Sequence, residues 1–86
     1  MTNISIVGAD KELQRLQEII IKLRAPDGCP WDQKQTSESL IPYLIEETYE
    51  VVEAIENGNA ADLKSELGDL LLHIVMQTRI AEEKDS

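Results

Sequence analysis

The sequence predicts an all-α fold: a short helical bundle completed by oligomerisation. Three observations carry that expectation. Leu, Ile, Ala and Glu dominate the 86 residues, Phe is absent and aromatics make up 3%, a balance that favours helices over strands. Apolar residues recur at helical spacing in three stretches separated by Pro, Gly and Asn. The middle of the last stretch, Leu67 to Met76, is apolar nearly all round, as in a helix buried on several sides. A chain this short forms one small domain with a marginal core, so burying that stretch is expected to need another subunit.

Residues 1–9 show no helical period and are expected to be a flexible leader, with the helical domain spanning 10–86. Asp10 is a suitable N-cap for a first helix. Leu13, Leu16, Ile20 and Leu23 share one face of it, with Ile19 beside them, while Lys11, Arg15, Glu18 and Lys22 take the other side. This helix should end near Arg24. Pro26, Gly28 and Pro30 predict irregular structure from Ala25 to Gln35. Thr36 or Ser37 can cap the second helix, and Pro42 is tolerated only near its start. That helix should reach about Asn57, with Gly58 as the residue just beyond its end. Asn59 can cap a third helix, from Ala60 to Glu83, with Asp62 where a capping box would carry Glu.

Composition narrows the function. The net charge is −9, and no basic patch exists to replace the counter-ions of a polynucleotide. Nucleotides stay open as ligands, because a bound cation reverses the local sign. Cys29 is the single cysteine, so no internal disulfide can form. The N-terminus does not read as a signal peptide, and no apolar run is long enough to span a bilayer. The expected setting is the cytoplasm, with no membrane partner.

Helical phase sorts the many acids. At about 100° per residue, Leu40, Leu44, Val51, Ala54 and Ile55 define the apolar arc of the second helix. Glu47 falls inside that arc and Glu50 at its edge. Glu46 flanks them, and Glu53 and Glu56 lie on the polar side. On the third helix Glu66, Asp69 and His73 share a sector. Leu63, Leu67, Leu70 and Ile74 fill the next one, and Met76 and Ile80 border the acids. A single helical Glu is ordinarily a solvated charge. Two i, i+3 pairs within the apolar sectors of neighbouring helices are not ordinary. An antiparallel arrangement brings the pairs face to face, and unpaired charges buried together are costly. A divalent cation removes that cost, and oxygen-only ligands suit Mg²⁺ or Mn²⁺. His73 reads first as a core histidine held by a hydrogen bond, and second as a substrate contact. Gly68 costs about 1 kcal/mol in a helix relative to Ala, which suggests close approach of another backbone or a ligand. Trp31, in Cys29-Pro30-Trp31-Asp32, is either a plug over the core or a flat surface for stacking a planar ligand.

Taken together, Cys29-Pro30-Trp31-Asp32-x-x-Gln35-Thr36-x-Glu38-Ser39-Leu40, Tyr43-Leu44-x-Glu46-Glu47-x-Tyr49-Glu50-Val51 and Glu66-Leu67-Gly68-Asp69-Leu70-Leu71 resemble the MazG family of nucleoside triphosphate pyrophosphohydrolases. The likeness runs from about Leu16 to Glu82. It implies the all-α NTP pyrophosphatase fold, assembled as a homodimer or homotetramer. It also implies Mg²⁺-dependent hydrolysis of the α–β phosphoanhydride of an NTP or dNTP, giving monophosphate and pyrophosphate. By matching positions, Glu47, Glu50, Glu66 and Asp69 would be metal ligands and Glu46 would support them or orient water. Trp31 would contact the base and His73 would lie at the pocket wall. Such domains usually continue into a final helix with basic residues, of which these 86 residues hold no counterpart. The alternatives are a phosphoribosyl-ATP pyrophosphohydrolase-like enzyme, which the Cys-Pro-Trp-Asp loop disfavours, and a non-catalytic helical dimerisation or regulatory module. A di-iron bundle is disfavoured because the cluster lacks a Glu-x-x-His pair.

Overall fold

The computed structural model describes residues 9–85, which form helices α1 (Ala9–Arg24), α2 (Pro30–Lys34), α3 (Ile41–Glu56) and α4 (Ala60–Asp85), with no strand among the described residues. Apart from Ala9, the expected leader lies outside them. Because α1 opens at Ala9, Asp10 sits in its first turn with Glu12 instead of capping it. Acids still suit that position, since the first turn carries the positive end of the helix dipole. At the other end the chain doubles back tightly. The Gly28 and Cys29 amides donate to the carbonyls of Ala25 and Leu23, both at 2.8 Å. A β-carbon on Gly28 would collide with the carbonyls of Lys22 and Leu23, so this turn requires glycine.

The segment expected to be irregular contains α2, which corrects the sequence reading. Pro30 occupies the start of that helix, where its fixed φ suits a first turn and its missing N–H costs nothing. The turn that follows is capped reciprocally. The Ser39 amide donates to Thr36 Oγ1 at 3.0 Å, and the Thr36 amide donates to Ser39 Oγ at 2.8 Å. Thr36 caps this turn and not the helix, which corrects the sequence reading: regular helix begins only at Ile41, after Leu40 as an N-cap without a side-chain hydrogen bond, with Pro42 in its first turn.

Between α3 and α4, Gly58 adopts φ +66°. Its amide donates to the Ile55 carbonyl at 3.1 Å, and the Asn59 amide donates to the Ala54 carbonyl at 3.2 Å. This is the Schellman closure that a glycine beyond the helix end permits. Asn59 then caps α4, its Oδ1 accepting from the Asp62 amide at 3.0 Å. This tight turn reverses the chain and lays α4 back along α3.

Helix α4 is the centre of the packing: α3 and α1 both lie against it, and α2 rests on α1. Ile20, Leu40, Val75, Met76 and Ile80 form the buried core, with Leu16, Leu23 and Leu71 packed around it. The fold is 21 Å across its thinnest dimension, about two helix diameters, so few residues can be covered on all sides. Ile55, Leu67 and Ile74, which helical phase assigned to apolar sectors, stand exposed with Ile45, Val52 and Tyr49. The reason is local: α3 has α4 as its only helical neighbour among the described residues, and only the side facing it is covered. No helix among the described residues is long and apolar enough to cross a membrane.

Candidate metal centre

The α3–α4 hairpin sets the site. Helices joined by a tight turn run antiparallel, so residues similarly distant from Gly58 come level. Carboxylate oxygens of Glu47, Glu66 and Asp69 all lie within 4.8 Å of one another. Glu50 joins them beside Glu66, to whose carboxylate its own carboxyl donates when protonated. Glu47, Glu50 and Glu66 are half-buried, Asp69 is on the solvent side, and Glu46, Glu53 and Glu56 are exposed. Gly68 is half-buried between Glu66 and Asp69.

Electrostatically the cluster is unbalanced. Burial raises the Glu47 carboxyl above the ordinary carboxylate range, and the charges of Glu50, Asp69 and Glu46 add to the effect. Glu50 is raised first by its hydrogen bond with Glu66, then by burial and by the charges of Glu66 and Glu46. Both directions are those expected of like charges held close and partly dried. The ion pairs among the described residues are Arg24–Glu83, Arg79–Glu83 and Lys84–Glu38, so no Lys or Arg offsets the cluster. Glu47 Oε2 and Glu66 Oε2 are buried without a hydrogen-bond partner.

Those two orphaned oxygens test whether a cation fits. Carboxylate oxygens without N–H neighbours are acceptors only, and an oxygen-only set suits a hard divalent ion. The widest pair of oxygens around one Mg²⁺ is about 4.2 Å apart at a bond length near 2.1 Å. The observed spread of up to 4.8 Å is somewhat wider than that span. The four acids could hold such an ion and the described cations could not neutralise them.

The two other candidate residues stand apart from these oxygens. His73 is 8% exposed, and burial lowers its pKa. Its Nε2 lies 3.2 Å from Gln77 Nε2. That amide nitrogen also donates to the Ser37 carbonyl at 3.2 Å, so it is a donor and His73 Nε2 must accept, leaving the ring proton on Nδ1. His73 is thus a buried neutral imidazole, one turn beyond Asp69. Trp31 is 50% exposed and meets Tyr43 edge-on, with ring centroids 6.0 Å apart and planes at 84°. Sequence reading met Tyr43 only as a motif position, without its contact to Trp31, and did not single out Gln77. Their signal was the i, i+4 spacing to Glu47 and from His73.

The chain matches the MazG nucleotide pyrophosphohydrolase domain over residues 35–86. It is 55% identical over 71 residues to the nucleoside triphosphate pyrophosphohydrolase/pyrophosphatase MazG of Thermotoga maritima, covering 83% of this chain and 28% of that protein. It is 46% identical over 74 residues to the nucleoside triphosphate pyrophosphohydrolase of Escherichia coli K12, covering 85% and 28%. The nucleoside triphosphate pyrophosphohydrolase of Mycolicibacterium smegmatis is 52% identical over 54 residues, covering 63% and 17%. The chain thus spans less than a third of the length of these relatives. With the whole acid-bearing hairpin inside the matched region, the chain belongs to the MazG nucleotide pyrophosphohydrolase family.

Proposed function

We propose that this domain is a Mg²⁺-dependent nucleoside triphosphate pyrophosphohydrolase, taking an NTP or dNTP to the monophosphate and pyrophosphate. The observation that carries the reading is the acid cluster: carboxylates from two helices converge without a cationic partner, and two of their oxygens are buried and unbonded. The activity named for the relatives is one such a cluster can support.

Glu47, Glu50, Glu66 and Asp69 would hold the ion, with Mn²⁺ able to replace Mg²⁺. When bound, the ion supplies the positive charge that the phosphate oxygens require. The chain's own residues do the rest. Exposed Glu46, beside the cluster, orients the attacking water and takes its proton. The water oxygen bonds to the α-phosphorus, the bond to the α–β bridging oxygen breaks, and pyrophosphate leaves. Trp31 offers a half-open ring face to the base. His73, neutral and fixed by Gln77, forms the wall beyond Asp69. The exposed apolar residues of α3, including Ile45, Tyr49 and Val52, support a homodimer or homotetramer, since a monomer seldom leaves such a run uncovered.

The test is pyrophosphate release from a panel of NTPs and dNTPs with Mg²⁺, with EDTA as control, at a known oligomeric state. Turnover should be absent with EDTA. It should also be lost in Glu50→Gln and Asp69→Asn while helix content persists. Full turnover in both variants would reject the site. Release from no nucleotide would favour the non-catalytic module.

A further inference from the structure

We propose that Arg24 is a positioning residue for Trp31, fixing where the indole stands relative to the acid-bearing helices by tying the end of α2 to α4. The proposal rests on the reading of Trp31 as the nucleotide-facing ring. Helix α2 buries none of its residues, so packing alone does not hold it. A helix of five residues leaves its last carbonyls short of partners: from the backbone, the Asp32 carbonyl has only the Gln35 amide, at 3.3 Å.

Arg24 supplies what is missing. Its side chain is 9% exposed, at the end of α1. Nη1 donates to the Asp32 carbonyl at 2.5 Å and to the Gln35 carbonyl at 3.0 Å. Nε and Nη2 donate to the two carboxylate oxygens of Glu83 on α4, at 2.9 and 2.8 Å. One planar group thus serves both sides of a junction, a task the guanidinium fork performs and a lysine ammonium does not. Glu83 is itself held by Arg79 Nε at 3.2 Å. Both secured carbonyls lie just after the indole in the chain: Asp32 follows Trp31 directly, and Gln35 Nε2 donates to the Trp31 carbonyl at 3.0 Å. The ring then meets Tyr43, one turn, or about 6 Å along α3, before Glu47. Arg24 touches neither the acids nor the expected place of the substrate, and acts on them through Trp31.

Trp31 is the single tryptophan, so its fluorescence reports its position without reference to activity. In Arg24→Lys the emission should shift to the red and acrylamide quenching should rise, while helix content and cooperative melting are retained. The KM for the preferred nucleotide should rise about tenfold, the order of one lost stacking contact, with kcat within about twofold, as for loss of uniform binding. Unchanged emission and quenching in folded Arg24→Lys would overturn the proposal, as would a fall in kcat at constant KM. Should Arg24→Lys fail to fold, Glu83→Gln, which keeps both carbonyl contacts, should give a smaller red shift, and none would overturn it. A wild-type protein that hydrolyses no nucleotide would refute the catalytic reading, and the fluorescence would then decide the role of Arg24 alone.

Discussion

Replacing Glu66 by Gln should change stability in opposite directions with and without a divalent ion. Glu66 sits at the middle of the cluster, sharing a hydrogen bond with Glu50 and an oxygen triangle with Glu47 and Asp69. In EDTA its charge is a liability to Glu50, whose carboxyl it helps to push upward. An amide there removes one like charge and offers N–H donors to the adjacent carboxylates. The variant should therefore melt at or above the wild type. With Mg²⁺ the order reverses. An ion at a hundred times its dissociation constant stabilises the folded state by about 2.7 kcal/mol. For a domain of this size each kcal/mol moves the melting point by roughly 4–8 °C, so the wild type should gain about 10–20 °C and Glu66→Gln much less. Circular dichroism melts at matched ionic strength, with NaCl replacing MgCl₂, separate binding from screening. Equal Mg²⁺-induced gains in the two proteins, or a clear loss of stability of the variant in EDTA, would refute the reasoning.

Two further expectations concern the scaffold. Ile80 is 2% exposed in the core, so Ile80→Ala should cost about 2–5 kcal/mol, read as a lower urea midpoint at unchanged slope. The hydrogen bond from Arg24 holds the Glu83 carboxyl below the ordinary carboxylate range. A lowered folded pKa contributes stability that is present above the unfolded value, about 4.3 for Glu, and lost as pH falls through the folded value. Glu83→Gln should accordingly be the less stable protein at pH 7, and the gap should close only on acidification below about pH 4.3. A gap independent of pH would show that the charge of Glu83 contributes nothing.

The three long helices were legible because their signals are local. Asn59 and Gly58 are recognisable from the backbone chemistry they supply, and the spacing of Leu16, Ile20 and Leu23 fixes a face without knowledge of the partner. Helix α2 was not legible. Pro30 reads equally as a breaker and as a first helical residue, and what decides between them is a set of contacts across 8 to 11 residues, from Arg24 to the carbonyls of Asp32 and Gln35 and from Gln33 to that of Ala25, which no helical period shows. The exposure of Ile55 and Ile74 was also hidden. Periodicity identifies an apolar stripe but not whether anything covers it. The roles of Tyr43, quoted only as a motif position, and of Gln77 as partners of Trp31 and His73 were missed because neither carries unusual chemistry of its own.

The cluster itself shows a regularity that neither helix displays alone. Glu50 and Glu66 stand eight residues either side of Gly58, and Glu47 and Asp69 stand eleven. In an antiparallel hairpin closed at Gly58, each pair is level across the interface, at about 12 and 16 Å along the axis from the turn. The i, i+3 spacing aims the two acids of one helix to the same side, and the symmetry about the turn aims the two helices at each other. The Schellman closure at Gly58 is what converts these counts into a place. Glycine at this position is thus as much a part of the centre as the carboxylates. A residue that holds φ +66° only with strain would weaken this closure by about 1–2 kcal/mol, and with it the register that sets Glu66 and Asp69 level with Glu47 and Glu50.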